Sequence, residues 1–87
     1  MYGYLYILTT KGNHYYIGST NNIERRLFEH KQGKTKSLKK LLPIKLIFAQ
    51  KYSGIKTARK IETKLKKFKN RKIIEQIIKE RKINLGP

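Results

Sequence analysis

"HYYIGSTNNIERRLFEH", residues 14–30, passes from one periodicity to another. Tyr15 and Ile17 alternate with His14, Tyr16 and Gly18, which is the two-residue repeat of a strand. Ser19, Thr20, Asn21 and Asn22 follow, residues whose short polar side chains cap helices. Ile23 and Leu27 then recur four apart, and Gly33 closes the run. The stretch therefore predicts a strand over 14–18 and a helix over 23–32.

Upstream, Tyr2–Thr10 alternates as well, with Leu5 and Ile7 on one face and Tyr2, Tyr4, Tyr6 and Leu8 on the other. Lys11, Gly12 and Asn13 read as a turn, so the first two strands should pair as an antiparallel hairpin. With Leu5, Ile7, Tyr15 and Ile17 on the better-packed side, Tyr6 and Tyr16 are expected to emerge together on the other. Gly18 reads as a strand-end residue that lets the backbone approach closely.

Downstream, "KQGKTKSLKK" (31–40) has no apolar period and predicts an exposed loop. Pro43 suits the entry to a third strand, "IKLIFAQKY" (44–52), which Ser53 and Gly54 end. Ala58, Ile61, Leu65 and Phe68 then fall at helical spacing, and Ile73, Ile74, Ile77 and Ile78 mark a third helix after Asn70. The order is β-β-α-β-α-α, an α+β fold with a small three-stranded, mainly antiparallel sheet flanked by helices.

The 87 residues fit a single domain spanning 1–87, since a chain of this size buries only about 60–65% of its unfolded surface. Without cysteine, neither disulfides nor a thiolate zinc site can supplement the core. No run approaches the roughly 20 apolar residues of a membrane span, and "YGYLYIL" (2–8) is strand-like where a secretory leader would be basic and then apolar. A soluble cytoplasmic protein, monomeric or weakly dimeric, is expected.

Charge dominates the composition: 22 Lys and Arg stand against 5 acidic residues, a formal +17, and none of the acids is Asp. Such an excess repels itself in a compact fold unless a polyanion neutralises it, so nucleic acid is the expected partner. A membrane surface is a poorer match, because no helix joins a basic face to interfacial aromatic residues.

On a helix, Leu27, Arg26 and His30 fall at about +40°, −60° and −20° from Ile23. All share one arc. An unpaired guanidinium within an apolar arc costs several kcal/mol, so Arg26 and His30 require a partner or a task there. Arg25, about 100° from Arg26, is expected in solvent. In the second predicted helix Glu62 flanks the apolar stripe, and it is the only acid between Glu29 and Glu75.

"YLY" (4–6), "YIG" (16–18) and "STNNIERRLFEH" (19–30) together resemble the GIY-YIG nuclease superfamily. In that pattern an arginine lies ten positions after the second-strand tyrosine, here Arg26, and a histidine often follows four later, here His30. "TARKIETKLKK" (57–67) is similar to the segment bearing the single catalytic glutamate of small stand-alone members, which would be Glu62. The first motif departs from the family's by lacking the initial Gly and carrying Leu for Ile.

The resemblance implies hydrolysis of DNA phosphodiesters, with branched or damaged DNA among the candidate substrates, using one Mg²⁺ or Mn²⁺ held by Glu62. Arg26 would hold the scissile phosphate, Tyr6 or Tyr16 would help deprotonate water, and His30, less clearly His14, would assist proton transfer or bind phosphate. Lys34, Lys36, Lys39 and Lys40 would contact the DNA backbone with Arg26. Asn70 fits either a helix cap or a polar site group; Glu62 could also pair with Lys66, four residues on, but its placement among so few acids favours the metal. A basic nucleic-acid-binding module with little or no catalysis on the same scaffold is the alternative reading.

Overall fold

Four consecutive residues of the first strand, Leu5 to Leu8, are buried. Alternating side chains can all be buried only if both faces of a strand are covered, which makes this strand the centre of the structure. The computed structural model describes residues 2–34, 42–68 and 70–83. Its elements are β1 (Gly3–Thr9), β2 (Tyr15–Thr20), α1 (Ile23–Lys31), β3 (Lys45–Tyr52), α2 (Ile55–Phe68) and α3 (Arg71–Glu80), in the expected order. Both neighbours of β1 run antiparallel to it, giving the sheet order β2-β1-β3.

Leu5 and Ile7 point into the main core with Phe48, Ile61, Leu65, Ile74, Ile77 and Ile83. Tyr6 and Leu8 point the opposite way, against Tyr16, Ile23, Leu27 and Ile44. Residues from α2 and α3 thus cover one face and residues from α1 the other. Burial of an aliphatic side chain such as Leu5 or Ile7, both at 0% exposure, contributes about 1.5–3 kcal/mol.

The β1–β2 turn uses Gly12 and Asn13 at φ 84° and 60°, left-handed conformations that these two residue types tolerate best. The second strand starts one residue later than the alternation predicts and continues through Ser19 and Thr20, so those two are strand residues and do not cap α1. Asn22 alone is the N-cap, its Oδ1 accepting from the Arg25 amide at 3.0 Å.

As a result Gly18 lies inside β2, opposite Tyr6, and is not at a strand end. Tyr16 opposes Leu8, so the two tyrosines are offset by two pairs along the ladder, with Ile7–Ile17 between them. Phe68 is 45% exposed where the spacing predicts burial. It is the final residue of α2 and stands about 20° outside the arc that Ala58, Ile61 and Leu65 share. Asn70 caps α3, its Oδ1 accepting from the Lys72 amide at 2.9 Å. Most of the basic loop, including Lys36, Lys39 and Lys40, lies outside the described residues.

Candidate active site

β1 projects Tyr6 towards α1, where its ring lies directly over the bare Cα of Gly18. An added Cβ there would meet the Tyr6 hydroxyl at 2.3 Å. The hydroxyl reaches His30 Nε2 at 2.8 Å. Tyr6 is 2% and His30 0% exposed, so this bond is shielded from water and stronger than a surface one. Tyr16 comes from β2 on the same side of the sheet and meets the His30 ring edge-on, with centroids 5.7 Å apart. The two tyrosines are joined through the imidazole between them.

Burial is the main influence on this pair. It pushes the Tyr6 phenol above its ordinary value, while the Arg26 guanidinium facing it pulls down and the Tyr16 and Glu62 side chains add to the rise. His30 moves the other way: burial lowers its pKa, Arg26 lowers it further and Glu29 opposes. Both groups are therefore neutral near pH 7. Because His30 is completely enclosed, it offers no nitrogen to a phosphate in solvent; its Nε2 faces the Tyr6 hydroxyl instead.

Arg26 sits at the rim of this buried group. Its Nε is buried without a hydrogen-bond partner, alone among the described side chains. Its guanidinium interacts with the Tyr6 hydroxyl, which raises the Arg26 pKa further, its Nη1 lies 3.8 Å from Glu29, and the side chain is 41% exposed. The fork faces a cleft of about 310 Å³, walled by Ser19 and Thr20 from the end of β2, Asn21 just beyond it, Arg25 and Arg26 from α1, and Ile55 and Arg59 from α2. Arg25 is exposed as expected, with its Nη2 donating to Asn21 Oδ1 at 3.0 Å.

Glu62 reaches the cleft through Ser19. The Ser19 hydroxyl donates to Glu62 Oε1, and Lys66 Nζ lies 2.6 Å from Oε2 with the glutamate side chain 20% exposed. Glu62 thus pairs with Lys66 as its spacing allows, and it lies on the α2 face of the sheet, where Ser19 stands opposite Leu5, acting on Tyr6 only through its charge. Among the described residues no three His, Cys, Asp or Glu side chains converge. A lone carboxylate beside a polar cleft matches Mg²⁺ or Mn²⁺, since Mg²⁺ keeps most of its waters and needs only one or two carboxylates.

Four of the five expected catalytic residues, Tyr6, Tyr16, Arg26 and His30, cluster on the β1–β2–α1 side, whereas Glu62 comes from α2 on the other face and meets Ser19 and Lys66. Lys34 is exposed just beyond α1 and His14 is exposed beside the hairpin turn. Asn70 is exposed and engaged as a cap. Sequence reading did not single out Ser19 or Arg59 as site residues. Ser19 carried no signal for that role, because its contact with Glu62 depends on how α2 lies on the sheet. Arg59 did, since three residues before Glu62 on a helix is about 60° around the axis.

Residues 2–75 match the family model described as the GIY-YIG catalytic domain. A UPF0213 protein of Streptococcus pneumoniae is 40% identical over 67 residues, which cover 76% of this chain and 68% of that relative. Another, from Bacillus licheniformis, is 39% identical over 80 residues, covering 91% and 81%. The solution NMR structure of a UPF0213 protein from Bacillus halodurans superposes with a TM-score of 0.60 at 28% identity, over 93% of this chain and 86% of that one. With the family pattern matched along most of its length and carried by side chains that meet in space, this chain belongs to the GIY-YIG family of nucleases.

Proposed function

We propose that the protein is a divalent-metal-dependent DNA endonuclease whose reacting phosphate is held in the arginine-lined cleft. Arg26 at the wall of that cleft, coupled to the buried Tyr6–His30 pair behind it, and Glu62 bonded to the cleft residue Ser19 carry the reading. Glu62 would hold one Mg²⁺ or Mn²⁺, which when bound supplies positive charge to the phosphate oxygens and lowers the pKa of water. Arg26 binds the scissile phosphate. Its Nε has no acceptor within the protein, its fork opens on the cleft beside Tyr6, and a planar guanidinium meets two phosphate oxygens at once.

The Tyr6–His30 pair supplies the base. A free phenolate is disfavoured because burial raises Tyr6. If the phenol passes its own proton to His30 Nε2 as it accepts one from water, the oxygen never carries a full charge. The water proton ends on Tyr6 and the phenolic proton on the imidazole. Tyr16, set edge-on against His30, keeps the ring in line.

Lys66 occupies one oxygen of Glu62, and this favours the second reading, a DNA-binding module with weak catalysis. Purified protein incubated with branched, nicked, single-stranded and duplex DNA in Mg²⁺ or Mn²⁺ separates the two. Cutting that Glu62→Gln and Arg26→Ala abolish, with circular dichroism unchanged, is the expected result. Binding of every substrate without cutting across metals and pH would replace the nuclease by the binding module.

A further inference from the structure

α2 has three faces, and only two are used by the core and the site. Taking Glu62 as zero, Ala58, Leu65 and Ile61 fall at about −40° to −100° and are buried. Ile55, Lys66 and Arg59 fall at about +20° to +60°, on the cleft side with Glu62. Thr63, Lys56, Lys67 and Lys60 occupy the next arc, at about +100° to +160°, and the three lysines are exposed. That outer arc carries no acid.

A solvated helix of this composition ordinarily interleaves Glu with Lys at i and i+4, whereas here Lys56 and Lys60 repeat the same charge, an arrangement that opposes the helix unless an anion covers it. Arg59 connects the two regions. It lines both the catalytic cleft and a shallow groove of about 390 Å³ formed on α2 with Lys60, Thr63 and Lys67. From Lys56 to Lys67 the arc runs about 16 Å along the axis, the rise of roughly five base-pair steps of DNA.

We propose that this outer face of α2 seats the DNA backbone where it leaves the cleft, with Arg59 holding the phosphate next to the scissile one. The proposal deepens the nuclease reading and rests on it for the direction of the strand. It assigns DNA binding to the helix that carries Glu62.

The test uses Glu62→Gln protein, so that labelled duplex DNA stays intact while binding is followed by fluorescence anisotropy across a salt series. Lys56→Gln, Lys60→Gln and Lys67→Gln are combined in one variant. A control combines Lys11→Gln, Lys45→Gln and Lys79→Gln, which removes the same charge from exposed positions at the hairpin turn, β3 and α3.

The slope of log K against log salt should fall by about 0.9 for each phosphate that the protein no longer neutralises, hence by roughly two to three in the α2 variant and little in the control. Arg59→Gln alone should lower it by about one. Equal falls in the α2 variant and the control, with the unmodified chain still cutting DNA, would overturn the α2 surface and leave the nuclease standing. Unequal falls with an unmodified chain that cuts nothing would support the surface and remove the nuclease.

Discussion

Replacing Gly18 by alanine tests the packing on which the Tyr6–His30 pair depends. The backbone there is outside the left-handed region, so the substitution acts through space alone. The new Cβ would stand 2.3 Å from the Tyr6 oxygen and 2.4 Å from its Cζ, more than an ångström inside the normal contact of about 3.5–4.0 Å. The ring has little room to retreat, because Tyr6 is 2% exposed and its hydroxyl is bonded to a fully buried histidine.

Overpacking of this kind costs about 1–3 kcal/mol. Pulling the hydroxyl off His30 leaves a buried polar atom unsatisfied, for about 1–3 kcal/mol more. Alanine's smaller unfolded-state freedom returns about 0.4–1 kcal/mol. The net loss of roughly 2–4 kcal/mol corresponds to a fall in Tm of roughly 10–30 °C for a domain of this size.

Urea and thermal unfolding followed by circular dichroism measure it directly. Introducing Gly18→Ala in a Tyr6→Leu background isolates the cause, since the shorter side chain leaves room for the methyl group, and the two changes should couple by more than about 1 kcal/mol. A loss below about 0.5 kcal/mol, or the same loss in both backgrounds, would refute the steric reasoning.

The buried imidazole makes stability depend on pH. Because His30 is depressed in the folded state, chiefly by burial, the unfolded chain takes up the extra proton first. The neutral ring's contribution is then full above about pH 6.5 and is lost as pH falls below it towards the lower folded value. Urea midpoints should decline on acidification and do so less in His30→Gln; an unchanged slope would contradict the assignment. Lys66→Met removes the cation lying on Glu62 Oε2, and an exposed helical pair of about 0.3–0.5 kcal/mol corresponds to roughly twofold tighter binding of Mn²⁺. Titration followed by electron paramagnetic resonance checks this without recourse to activity, and weaker binding would show that Lys66 supports the site and does not compete for it. Asn70→Ala should cost about 1 kcal/mol of stability as a lost helix cap, with cutting per folded molecule unaffected. A drop in cutting at full stability would instead place Asn70 in the catalytic group.

Element order and type were legible because they are set locally. A two-residue alternation at 2–10, a four-residue repeat from Ile23 and the stripe Ala58–Ile61–Leu65 each reflect the dihedral preferences and apolar spacing of one segment. Spacing along the chain likewise gave the arginine ten residues beyond Tyr16 and the histidine four further on, since both lie within one strand and the helix that follows it.

What the linear chain could not contain was how those segments lie on one another. The register that sets Tyr6 over Gly18, the complete enclosure of His30, the Ser19–Glu62 hydrogen bond across 43 positions and the place of Arg59 at the mouth of two grooves all come from packing around β1. Periodicity says which side of a segment is apolar. Only burial against the other layers, where the atoms must fit without overlap and every polar group needs a partner, decides which side chains meet.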